Sequence, residues 1–518
     1  MPNRNSDPLF LLIHALEKAE KRNFKLFVKR SSHNEDLKII ELFDAIDKLS
    51  EYDEVKLLKR LPSIQKPQLS NIKVHLYKQL LASLRLLKST DSIDLQLTEQ
   101  FDYAHILYKK GLFAQGLKIL DKVKETAKAN QKFNFLTHVI ALEKRIETLH
   151  ISRSMQSRAE HLSAEALEVS NRIAMTTRLS NLAMLLYSWF IKYGHARRSN
   201  DDIAVQTFLT ENLPPEAFKE TGFYERLYLY QSFTWYAYIR QDFLMYYRYS
   251  QKWVDIFDQE PVMIRVETSH YIKGLHNLLN AHFDLRNYSK LKSTIEKFEV
   301  FAETPRVVQH ENFRVHSFVY IASAKLNQHS LLGTFKEGIK SVPYIEEKLK
   351  EYAQYLDEHR IMVINYKIAT LYFGSEDYST CIDYLQKIIN DNTNIRNDLQ
   401  CYARLLHLLA HYELGNFVLM EYLTKSVYRF MAKKENLTKI EEELFKFLRL
   451  SFHLSRHKLI PELEKLLEKI RKLENNRFET RTFAYIDMVS WIESKLSKKS
   501  MSTILHEKYL SSKRKYQI

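Results

Sequence analysis

The segment YKKGLFAQGLKILDKVKETA, Tyr108 to Ala127, places Gly111 and Gly116 at the spacing of a phosphate-binding loop. That loop needs a lysine and then a hydroxyl residue after its second glycine, on a turn between a strand and a helix. Here Leu117 and Lys118 hold those two positions. Upstream, Phe101, Ala104, Ile106, Leu107 and Tyr108 recur at helical rather than strand spacing. A backbone cradle for phosphate would have nothing to stand on. The same residues read as a turn between two helices. Gly111 ends the first as a C-cap, Phe113 opens the second, and Gly116, Leu120 and Val123 follow at three- and four-residue steps.

Other reactive residue types give no stronger pattern. His407 and His411 in HLLAH, and His453 and His457 in HLSRH, share a helical face pairwise. A zincin requires glutamate directly after the first histidine, where Leu408 and Leu454 stand, and neither pair has an evident third ligand. Cys381 falls where a repeat's second helix needs a small packed residue. No nucleophile elbow is present. The expectation is a protein without catalytic, metal or cofactor sites.

Two patterns suit binding. From Tyr224 to Trp253 the chain reads YERLYLYQSFTWYAYIRQDFLMYYRYSQKW, with arginines interleaved among aromatics. On a helix, Tyr224, Tyr228, Trp235 and Tyr238 share one face. They are core, or with Arg240 they grip an extended peptide or stack bases. Near the N-terminus, Lys18, Arg22, Lys25 and Lys29 form a narrow stripe, with Ile13, Leu16, Phe24 and Phe27 pointing the other way. The stripe is a solvated face or a docking strip for an acidic partner.

The elements that would position these residues are helices. Of 518 residues only 9 are glycine, far below the roughly 7% of ordinary chains. Sheets with tight hairpins and phosphate loops need more positive-φ positions than that. A net charge of +15 permits an anionic partner without requiring one. Two cysteines, Cys381 and Cys401, make no disulfide framework, and no apolar run reaches membrane-span length. The expected setting is cytoplasmic, without membrane insertion.

The turn at Gly111 and a second at Tyr378, in YKIATLYFGSEDYSTCIDYLQKII, resemble the tetratricopeptide repeat. Looser matches centre on Phe243, Tyr288 and Phe417. The turn aromatics from Phe243 onward are 45, 90 and 39 residues apart, so one degenerate unit is expected near Ser330. The consensus tryptophan and closing proline are missing. The chain is also similar to helical-repeat proteins of Bacteroidota bacteria, a resemblance that implies no activity. The predicted fold is all-α, a tetratricopeptide-like α-solenoid of antiparallel helix pairs. Residues 1–90 form an N-terminal helical cap and 91–455 the repeats, with a break at 195–222. Residues 456–518 are closing helices and a basic, partly disordered tail. The implied function is a non-catalytic scaffold holding a protein or peptide, acidic or not, on a concave surface. The alternative is a nucleic-acid-associated protein using basic and aromatic residues. Sequence does not set the oligomeric state.

Overall fold

The computed structural model describes residues 7–29, 34–87, 92–149, 157–219, 222–391, 396–434, 437–452, 454, 456–474 and 476–515. Its regular structure is all α-helical among the described residues. Two compact units divide the chain, residues 1–173 and 174–518.

The recurring motif is one turn. Among the described residues eight helices begin with an aromatic residue, and seven of these share the turn: those opening at Phe113, Phe133, Phe243, Tyr288, Phe335, Tyr378 and Phe417. Two residues before each aromatic stands a residue with left-handed backbone: Gly111, Gln131, Gln241, Arg286, Gly333, Glu376 and Gly415. That conformation reverses the chain after one helix so that the next can fold back. Only three of the seven are glycine, so this chain makes most such turns with long side chains, at a cost of roughly 1–2 kcal/mol each. The intervening residue often caps the new helix. Asp242, Asn287 and Asp377 accept hydrogen bonds from the amides of Met245, Lys290 and Thr380 at 2.9, 3.3 and 3.1 Å.

From Phe243 these turn aromatics are 45, 47, 43 and 39 residues apart. Phe335 thus divides the expected 90-residue interval. Its helix, Phe335–Ile339, is only five residues long, which is why the pattern was faint there. The turn at Gly111 is as expected: the helix Ile93–Lys109 ends, Gly111 has φ +78°, and Phe113–Ala129 follows.

In residues 1–173 the core has two parts. One gathers Phe24, Phe43, Ile46 and Leu76, the other Leu120, Val139, Ile140 and Val169. In residues 174–518 the helices alternate in role. Thr268–Asp284 packs on Glu311–Leu332, which packs on Glu358–Gly374, which in turn packs on Asn397–Glu413. These are first helices of their pairs. Their partners, Tyr288–Ala302, Phe335–Ile339, Tyr378–Ile389 and Phe417–Lys433, each pack on their own first helix or the next. Close approach is visible at Gly274, where a methyl group would lie 3.1 Å from Trp253 Cδ1. At Gly374 a methyl would overlap the Phe335 ring.

Two expectations need correction. The tail is not disordered where it is described: Met501–Lys515 is a helix with Ile504 and Leu505 buried, and Ser502 Oγ donates to the Gly333 carbonyl at 2.5 Å. Two adjacent apolar residues in a basic stretch were enough to anchor it. Nor do all four apolar residues set opposite the basic stripe share its helix. Pro8–Ala15 stops at Leu16, whose backbone is extended, and Lys18–Lys29 restarts with Glu20 accepting from the Glu17 amide at 2.9 Å. Ile13 and Leu16 are buried, but they precede the helix that carries the basic stripe.

Candidate functional site

The first helices of residues 174–518 each carry a polar or aromatic stripe. At ~100° per residue, Tyr224, Tyr228, Gln231, Trp235 and Tyr238 fall on one face of Phe223–Arg240. Lys273, His276, Asn277, Asn280 and Asp284 do so on Thr268–Asp284, and His316, Tyr320, Ser323 and Asn327 on Glu311–Leu332.

Side-chain contacts join these stripes. The Gln231 amide nitrogen lies 3.0 Å from His270 Nδ1, and Tyr228 meets the same ring edge-on at 5.8 Å. His276 stacks on Tyr320 at 3.9 Å. Lys367 Nζ donates to Asn327 Oδ1 at 2.7 Å. Tyr366 donates to the Tyr485 carbonyl at 3.1 Å, and the Tyr485 ring stacks on Tyr402 at 4.2 Å. Contacts therefore run from helix to helix through this face.

At its far end lies a largely buried ionic cluster, in which Arg481 is buried and Arg396, Asp398 and Tyr485 are half-buried. Asp398 accepts two hydrogen bonds from Arg396, both at 2.9 Å, and one from Tyr485 Oη at 2.7 Å. Arg481 Nη2 is 2.9 Å from Asp398 Oδ2 but out of line for a hydrogen bond, and its Nε and Nη1 also have no hydrogen-bond partner. Burial alone would raise the Asp398 pKa; the two guanidinium groups and the Tyr485 bond overcome it and hold the carboxylate well below its usual range. Two cations against one anion leave this cluster with a surplus of positive charge.

Ionisable groups along the face are shifted, chiefly by desolvation. Desolvation, then Arg481, pushes His195 down to about 3. Desolvation, then Lys367, Arg360 and His359, does the same to His276. Burial drives Lys367 down to about 7 and Asp284 up to about 7, each only partly countered by the other's charge. Lys273 is solvent-exposed, yet desolvation lowers its ammonium too. Solvent reaches such groups while protein surrounds them. Perturbed ionisable groups gathered on one surface mark a candidate functional site.

The residues singled out in the sequence divide between the two units. Tyr228, Trp235 and Tyr238 lie on the face just described, half-buried. Trp235 packs on Tyr187 and Phe190 at 4.9 and 5.7 Å, and Tyr238 on Phe190 and Tyr246, both at 5.1 Å. Arg240 is held by Asp202 at 2.6 and 3.0 Å and by Tyr236 Oη at 2.6 Å, which occupies its guanidinium fork. In the other unit Lys18, Arg22 and Lys29 are exposed, while Lys25 is half-buried and paired with Asp44 at 2.6 Å. His407 and His411 meet edge-to-face at 4.5 Å. His453 and the His457 side chain lie outside the described residues. Among the described residues no group of three or more metal-ligating side chains occurs, and no helix is long and apolar enough to cross a membrane. Cys381 and Cys401 are buried thiols, pushed upward by desolvation.

Sequence reading missed Lys273, Asp284, Lys367, Arg396, Asp398 and Arg481. For Lys273, Asp284 and Lys367, polar spacing along their first helices was a legible signal. Arg396, Asp398 and Arg481 had none, since a loop and a helix over eighty residues apart bring them together. No family model matches the chain, and no curated protein matches it.

Proposed function

We propose that the protein is a non-catalytic interaction scaffold of tetratricopeptide-like helix pairs, which holds a segment of a protein partner along the stripe of its first helices. The carrying observation is the alignment of exposed and half-exposed aromatic, amide and cationic groups on successive first helices, joined by side-chain contacts. The repeated turn, a left-handed residue two before an opening aromatic, supports the solenoid reading. Repeat proteins present extended faces of this kind to their ligands. Aromatic anchors there combine apolar area with orienting polar contacts.

A photo-crosslinking residue placed in cells at Tyr228, Lys273, Tyr320 or Val363 should yield discrete protein adducts. The same residue at Val300 or Val418, exposed on second helices, should not. Adducts from the second-helix positions alone, or from none, would overturn the reading. Adducts to nucleic acid from the first-helix positions would favour the nucleic-acid alternative, for which the net charge of +15 is the supporting observation.

A further inference from the structure

The turn that opens the helix Phe417–Lys433 presents apolar side chains to solvent. In LGNFVLMEY, residues 414–422, only Met420 is buried. Leu414, Phe417, Val418, Leu419 and Tyr422 are all exposed, Val418 by 98% and Tyr422 by 71%. Single exposed apolar residues are ordinary, whereas a contiguous group marks a protein or membrane contact. Beyond this tip the same side of the helix becomes cationic. At about 100° per residue, Val418, Tyr422, Lys425, Arg429 and Lys433 form one stripe, exposed throughout. Lys425 donates to Glu421 at 2.8 Å. Arg429 and Lys433 join no ion pair among the described residues.

We propose that this turn and the stripe beyond it form a docking surface for an anionic lipid bilayer. The order of residue types selects that occupant. At 1.5 Å rise per residue, Tyr422 stands about 6 Å along the helix from Val418, and Lys425 about 10 Å. A leaflet changes in the same order and on the same scale. Acyl chains give way to a boundary that favours tyrosine, and then to a polar layer about 5–8 Å deep. Phe417, Val418 and Leu419 enter the acyl boundary, while Arg429 and Lys433 are drawn to lipid phosphates. With the helix inclined to the surface, both cations come within a Debye length of those phosphates, about 8–10 Å. A protein partner would need a cleft for the tip and carboxylates in register with Arg429 and Lys433. A fluid bilayer supplies both phases at every position. A second copy would set the unpaired cations against its own apolar tip or against each other. The contact is interfacial and needs no spanning helix, none of which occurs among the described residues. It lies on a second helix, so it does not rest on the partner reading of the first helices.

The test is co-sedimentation of the full chain with sucrose-loaded vesicles, either phosphatidylcholine alone or equal parts phosphatidylcholine and phosphatidylglycerol. Wild type should sediment with the anionic vesicles and not with the neutral ones. Val418→Ser with Tyr422→Ser removes the apolar contact, and Arg429→Gln with Lys433→Gln removes the charge. Each pair should weaken binding about tenfold or more. A control pair, Lys292→Gln with Lys336→Gln, removes equal charge from exposed positions on other second helices and should change binding less than about twofold. All these positions are exposed, so circular dichroism should show equal helicity. No sedimentation of wild type with anionic vesicles, or equal sedimentation with neutral ones, would overturn the proposal. So would full binding by the serine pair, or equal weakening in the control, since a chain of net charge +15 would then adsorb by charge alone. A dimer that the serine pair dissolves in sedimentation velocity would assign the surface to a second copy. Protein adducts from a photo-crosslinking residue at Val418 would assign it to a protein. Either result overturns the lipid contact.

Discussion

Replacing Asp398 with asparagine removes the one anion that Arg396 and Arg481 share. The two Arg396 bonds at 2.9 Å and the Tyr485 bond at 2.7 Å lose their charged acceptor. Asparagine keeps the shape but leaves two guanidinium groups facing each other in a buried site. Breaking a buried pair in this way costs about 3–5 kcal/mol. At a urea m-value of ~3 kcal/mol/M, the unfolding midpoint should fall by about 1 M or more. Circular dichroism follows the whole chain. Amide exchange at residues 397–413 and 481–486 should report the loss locally, by faster exchange there. The wild-type advantage should also depend on pH. A carboxyl whose pKa is lowered by folding contributes stability above its unfolded value near 4, and loses it as pH falls through the folded value. The gap between the two proteins should hold above about pH 5 and shrink in stronger acid. Arg481→Met is the contrast: it removes the guanidinium that makes no hydrogen bond and leaves a neutral Arg396–Asp398 pair, so its cost should be the smaller. A midpoint shift below about 0.3 M for Asp398→Asn would rank the cluster with exposed ion pairs, worth ~0–1 kcal/mol, and would refute the argument.

Other expectations can be checked by the same denaturation assay. Gly374→Ala drives a methyl into the buried Phe335 ring and should cost about 1–3 kcal/mol as overpacking. Glu376→Gly relieves a left-handed residue at φ 70° and should be neutral or stabilising by up to about 1 kcal/mol; clear destabilisation would show that the Glu376 side chain has a role of its own. Among the described residues, reversing Lys18, Arg22, Lys25 and Lys29 to glutamate breaks the half-exposed Lys25–Asp44 pair and the contact of Lys25 with the Phe43 ring, so helicity should persist with a loss of about 1 kcal/mol or less. If that stripe docks an acidic partner, association should slow most at low salt.

Much of the helical grammar was present in the residue order. Glycine scarcity, apolar steps of three and four, and aromatics at Phe113, Phe243, Tyr288, Tyr378 and Phe417 mark where helices begin. Those are local properties, set by backbone sterics and by which face of a helix must leave water. The restart at Lys18 and the turn at Gln131 were less legible, and at Gln241, Arg286 and Glu376 the turn was legible from its aromatic but the left-handed backbone was not, because long residues there adopt the conformation that glycine usually signals. Tyr228, Trp235 and Tyr238 could be placed on one face from spacing alone. What that face looks toward could not. Only the tertiary structure sets Lys367 against Asn327, His276 on Tyr320, and Asp398 between Arg396 and Arg481. The reason is physical: a charge acquires its pKa, and a donor its partners, from groups tens or hundreds of residues away. Burial and Coulomb interaction act through space, and the order of residues carries no direct record of that distance.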